Sequence, residues 1–145
     1  MQSVIPAFAV ADIEASLKFY ADALGFAETF RLPGDDGRLV HASVQRGDVS
    51  LMFGAIDRIP ELADRPPLGR GVVLYTTVGE DEDIDALYAR AVANGATVLE
   101  PPADQPWGHR DWTIADPDGY AITVSKVTRA ISPDDVREAL AAPAD

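Results

Sequence analysis

The sequence predicts an α+β fold in which two βαβββ modules form a curved mixed sheet, with the helices outside and a concave cup inside. Three observations predict it. The order of elements repeats at an offset of about 70 residues, so that Asp12-Ile13-Glu14-Ala15 answers Asp83-Ile84-Asp85-Ala86 and Ala23-Leu24-Gly25 answers Ala93-Asn94-Gly95. Each half holds one apolar stripe at helical spacing among short β-rich runs. Neither half can close a core alone, and a curved sheet with helices on its outer side buries the apolar faces of both.

The first half begins with the apolar run Val4 to Val10, where Pro6 marks an edge strand or a strand start. Asp12 is a helix N-cap. Ile13, Leu17, Tyr20 and Leu24 then recur at helical spacing with Phe19 beside them, and Gly25 stops the helix. Ala27 to Leu32 reads as a strand, Pro33-Gly34-Asp35-Asp36-Gly37 as a turn, and Leu39 to Val44 and Val49 to Phe53 as two more strands joined by Gln45-Arg46-Gly47-Asp48. Pro60, Pro66, Pro67 and Gly69 make residues 55–70 a crossing loop, with a short helix expected near Ile59–Ala63.

The second half repeats this order. Val72 to Val78 reads as a strand, and Glu80-Asp81-Glu82-Asp83 is an acidic helix start. Ile84, Leu87, Tyr88 and Ala91 form the helix stripe, and Gly95 ends it. Thr97 to Leu99 reads as a strand and Pro101-Pro102 as a turn. A closing hairpin follows, with Trp112-Thr113-Ile114 and Tyr120 to Val124 on either side of Asp116-Pro117-Asp118-Gly119. In the tail, Ser132-Pro133-Asp134-Asp135 is a helix start, with Val136, Ala139 and Leu140 able to dock one face. This organisation gives one domain over residues 1–126 (module one 1–54, loop 55–70, module two 71–126). Residues 127–145 form a C-terminal tail, a surface or dimer-edge appendage.

Composition narrows the function. The chain has 145 residues, 47% of them hydrophobic, and no cysteine, so disulfides and thiolate chemistry are excluded. No apolar run approaches the roughly 20 residues of a membrane span, and Met1-Gln2-Ser3-Val4 carries no basic segment or cleavable apolar core, so no signal peptide is expected. The expectation is a cytoplasmic protein with no membrane partner. A net charge of −12 argues against nucleic acid. It suits a cationic ligand, although acidity alone also serves solubility.

The chain resembles the vicinal oxygen chelate superfamily, the glyoxalase/bleomycin-resistance/dioxygenase group, closest to its bleomycin-resistance-like members. The resemblance rests on Val10 through Tyr20, Ala23-Leu24-Gly25-Phe26, Gly47 through Met52, Asn94-Gly95-Ala96, and Trp107-Gly108 through Asp116-Pro117-Asp118-Gly119-Tyr120, and it covers residues 4–126. It implies two modules forming a cup, in a homodimer. Enzymes of the group bind a divalent metal through His, Gln or Glu at four strand positions, where it acts as a Lewis acid. Carried over residue by residue, these positions are Ile5, Ser50, Val73 (Val72 if the register slips by one) and Thr123. Ile and Val cannot coordinate, and neutral Ser and Thr hydroxyls are poor ligands. The expectation is therefore no metal and no cofactor. A displaced site would need His41, His109, Asp111 or other carboxylates to converge, and a lone histidine is ordinarily a hydrogen-bonded strand residue.

If the four positions face the cup, strand alternation brings their neighbours with them. The expected ligand-binding lining is then Ile5, Ala7, Ser50, Met52, Val73, Tyr75 and Thr123, with Ala121. His41, Ser43, Asp111 and Thr113 join from the hairpin partners, and Trp107 and His109 stand in the loop at the rim. Val44, Ile114, Trp112, Phe8, Phe19, Phe26 and Phe53 are expected in the core. Ser50 and His41 could form a nucleophile–base pair if they meet. Asp111 could pair Arg110, bind a cationic ligand, or sit in a surface salt bridge.

The reading that follows is a metal-independent protein that binds a small molecule, sequestering an aromatic or cationic antibiotic-like ligand. The alternative is a lyase, isomerase or ring-cleaving dioxygenase of the same group, using a displaced metal or Asp/His acid–base chemistry. A third is a regulatory domain whose cup is vestigial.

Overall fold

A computed structural model describes residues 3–58 and 68–141. The first module comprises β1 (Ala7–Val10), α1 (Ile13–Leu24), β2 (Ala27–Pro33), β3 (Leu39–Arg46) and β4 (Val49–Ala55), followed by a 3-10 turn at Ile56–Arg58. The second comprises β5 (Val73–Thr77), α2 (Ile84–Ala93), β6 (Thr97–Asp104), β7 (His109–Ala115) and β8 (Ala121–Val127), and α3 (Pro133–Ala141) follows. The helix expected near 59–63 lies outside the described residues.

Two four-stranded mixed sheets result, ordered β1-β4-β3-β2 and β5-β8-β7-β6. In each, the module's first strand runs parallel to its last, and the other pairs are antiparallel. The expected repeat is thus real at the level of hydrogen bonding. Among the described strands no ladder links the two sheets, so the mixed sheet is built in two halves.

Local chemistry sets the elements. The Asp12 side chain accepts from the Ala15 N–H at the start of α1, and Gly25 ends it with φ 75°. Asp83 caps α2 in the same way, accepting from Asp85 and Ala86. No basic residue lies in the last turn of α1. Arg90 of α2 supplies that cation instead, donating to the carbonyls of Ala21 (2.9 Å) and Asp22 (2.7 Å).

One core serves both modules. Tyr20, Phe53, Leu51, Val44, Trp112, Ile114 and Ile122 are all buried in it, and the Trp112 indole donates to the Ile84 carbonyl at 3.0 Å. The hairpin β7–β8 clamps the second module to the first. Its turn residue Asp116 accepts from the Tyr20 hydroxyl at 2.9 Å, and Asp118 accepts from the Ala11 N–H at 2.9 Å. Tyr120 stacks on Phe8 at 4.3 Å and donates to the Ala9 carbonyl.

Two expectations are corrected. Pro101-Pro102 is not a turn: β6 runs through both prolines. It is an edge strand, so the missing N–H groups can face away from the ladder, and its register against β7 shifts there. The tail helix forms, capped reciprocally by Ser132 and Asp135. It docks no apolar face, however: none of its residues is buried, and Leu140 is exposed. Among the described residues no helix is long and apolar enough to cross a membrane.

Candidate functional site

Strand registers decide which side chains share a face. In the first sheet Ala7, Met52 and Ser43 are cross-strand neighbours, Ser43 also opposes Phe30, and His41 opposes Leu32 and Gly54. Ser50 lies further along β4, opposite Gln45. In the second sheet Val73 opposes Ala121, Tyr75 opposes Thr123, Thr123 opposes Thr113, and Asp111 opposes Ser125. All these residues lie on the face of their sheet turned away from the shared core. Ile5 precedes β1 as exposed chain, and Trp107 sits in the turn between β6 and β7.

Phe30 and Leu32, which sequence reasoning missed, join this face from β2. Phe30 packs against the His41 ring at 5.9 Å. The two faces are open to an unusual degree for apolar side chains: Phe30 is 50% exposed, Leu32 46%, Val73 56% and Tyr75 50%.

The second sheet carries a compact polar cluster. Tyr75 Oη lies 2.8 Å from Ser125 Oγ, 3.2 Å from His109 Nδ1 and 3.3 Å from Asp111 Oδ2. Ser125 Oγ is 2.9 Å from His109 Nδ1. Ser125 is fully buried and Asp111 only 5% exposed. The other carboxylate oxygen, Asp111 Oδ1, is buried with no hydrogen-bond partner among the described residues. A phenol carries one proton, so Tyr75 serves Asp111 or Ser125 at any moment. Tyr75 can donate to Asp111 while accepting from the Ser125 hydroxyl or the His109 ring, so the unmet demand is at Asp111 Oδ1. Next to it, Thr113 Oγ1 lies 2.9 Å from Thr123 Oγ1 and donates to Glu100 Oε2 at 3.2 Å.

Several expectations change here. Ser50 and His41 do not pair, because His41 lies opposite Gly54; its neighbour is Ser43, at the weak distance of 3.5 Å. Among the described residues Asp111 is in no salt bridge, and it does not pair Arg110. Alternation turns Arg110 to the other side, where it binds Asp85 and Asp104, each at 3.0 Å. His109 is the first residue of β7 rather than a loop residue. Ser125 was missed, although its parity with Thr123 on β8 was the available signal.

The four carried-over ligand positions do not fit a divalent cation. Ile5 and Val73 offer no donor, and the Thr123 hydroxyl is engaged with Thr113. Among the described residues no three His, Asp or Glu side chains come together.

The sequence profile of the Glyoxalase/Bleomycin resistance protein/Dioxygenase superfamily matches residues 4–124. An uncharacterized protein of Mycobacterium bovis is 30% identical over 97% of this chain and 93% of its own. A glyoxalase-related enzyme from Fulvimarina pelagi superposes with a TM-score of 0.69 at 26% identity, covering 87% of this chain and 88% of that one. A glyoxalase/bleomycin resistance protein/dioxygenase from Nocardioides does so with a TM-score of 0.69 at 27% identity, covering 92% and 89%.

Proposed function

We propose, starting from the fact that the chain belongs to the glyoxalase/bleomycin-resistance/dioxygenase superfamily, that it binds a small organic molecule without a metal. The ligand lies on the concave faces and is aromatic or cationic, with an N–H or O–H donor. One observation carries this reading: the buried Asp111 carboxylate, whose Oδ1 has no hydrogen-bond partner among the described residues and whose Oδ2 is reached by the Tyr75 phenol at 3.3 Å. Such a group is costly to keep unless something supplies a donor. Tyr75 offers flat apolar surface beside it, and the chain's net charge of −12 favours a cation.

The exposed apolar faces support a homodimer, in which a second copy covers them and completes the cup. Sequestration of an antibiotic-like ligand in the cytoplasm fits this arrangement, with no nucleic-acid or membrane partner. The test is an NMR titration of isotope-labelled protein with a panel of aromatic amines. Resonances of Val73, Thr113, Thr123 and Ser125 should shift and saturate, and Asp111→Asn should weaken binding about tenfold, as loss of a charge-assisted hydrogen bond does. Shifts that avoid these residues would refute the site.

The unbroken run His109–Ser125–Tyr75–Asp111 favours a second reading, acid–base catalysis by a lyase or isomerase. Turnover of α-ketoaldehyde–thiol adducts that persists in chelator and is lost in His109→Ala would support it over pure binding.

A further inference from the structure

A separate cavity of about 370 Å³ lies between the modules, on the core side of the sheets. Its walls are Leu24, Phe26, Val49, Leu74, Ile122 and Val124. Leu74 and Tyr75 are neighbours on β5 and point to opposite faces, so this cavity and the Tyr75 cluster are separated by the second sheet. None of the residues assigned to the concave site lines it. Its size falls in the range of small-molecule pockets.

The mouth is acidic. Asp48 and Glu82 line it together with Arg46, and Glu80, Asp81 and Asp83 belong to the segment that carries Glu82. Arg46 is spoken for, because its guanidinium binds the Glu82 carboxylate. Lys126 is held on the Glu82 carbonyl at 2.6 Å, which fixes the rim segment rather than filling the opening.

We propose that this cavity is a second ligand site, independent of the concave one, for an organic ammonium with an apolar body. The body lies against Phe26, Leu74, Ile122 and Val124, where it leaves water. The ammonium stays at the mouth beside Asp48, the lining carboxylate that holds no cation among the described residues. A carboxylate of the same shape would face the unpaired Asp48 and could reach Arg46 only by displacing Glu82 from it.

The experiment is an NMR titration of the full chain with 4-phenylbutylammonium and, in parallel, 4-phenylbutyrate. The ammonium should shift the methyl resonances of Val49, Leu74 and Val78 and bind about tenfold tighter than the carboxylate. Leu74→Trp, which fills the cavity, should weaken it by about tenfold or more, as loss of apolar burial does. If that variant fails to fold, Gly79→Leu serves instead, since a Cβ at Gly79 meets nothing within 4 Å. Asp111→Asn should leave this affinity unchanged, which separates failure here from failure of the concave site. Equal or tighter binding of the carboxylate, shifts confined to concave residues such as Val73 and Ala121, or no saturation at millimolar ligand would each overturn the proposal.

Discussion

Two buried aspartates, five residues apart, do different work. Asp116 is fully employed: its Oδ2 accepts from the Tyr20 hydroxyl, and its Oδ1 from the N–H groups of Asp118 and Tyr120. Asp116→Ala strands three donors and should lower stability by about 3 kcal/mol, read from urea denaturation. Burial raises the Asp116 carboxyl above its ordinary value, against the bonds from Tyr120, Tyr20 and Asp118 that lower it. A group raised by folding contributes stability that is fully present below its unfolded pKa and is lost as pH rises through the folded one. The Asp116 share of stability therefore falls as pH rises from about 4 through the raised value, and Asp116→Asn should remove that slope. Asp111 has no such structural part. Its unpartnered oxygen holds nothing together, so Asp111→Asn should keep or raise the melting temperature, by up to about 1 kcal/mol in stability, while ligand binding drops. Lower stability together with unchanged binding would make Asp111 a structural residue.

At the level of elements, the β7–β8 hairpin joins the modules, and close backbone approaches hold it in place. A Cβ on Gly108, at φ 81°, would stand 2.5 Å from the Arg129 carbonyl oxygen, whereas one on Gly47, at φ 56°, would meet nothing within 4 Å. Gly108→Ala should therefore cost clearly more than Gly47→Ala, which bears only the left-handed penalty of about 1–2 kcal/mol. Denaturation midpoints of the two variants decide it, and equal losses would remove the role given to the close contact. Most elements were legible in the sequence because their signals are local: Asp12 and Asp83 cap, Gly25 stops a helix, and alternation places Ile114 and Val44 inside. The Pro101-Pro102 strand was not legible, because whether a proline tolerates a strand depends on the strand being at the edge, which is a property of the sheet.

At the scale of the whole molecule, the modules meet through the helices, the core and the hairpin clamp, and each sheet leaves an apolar face uncovered. Dimerisation through these faces is the expected outcome. Sedimentation velocity should give a dimer that Phe30→Asp with Val73→Asp converts to monomer, and a wild-type monomer would contradict it. The shared face of Tyr75, Asp111, Thr113 and Thr123 was legible beforehand, because strand parity carried the family's ligand positions on to their neighbours. The donor shortage at Asp111 was not, because it depends on which hydroxyls come within reach across three strands. The measurement that bears most directly on metal-independent binding at the concave site is calorimetric titration of a ligand from the amine panel into chelator-treated protein, wild type and Asp111→Asn. The account predicts the same dissociation constant with chelator as with added divalent metal, weakened about tenfold by the substitution. Binding that appears only with metal, or that ignores the substitution, would contradict it.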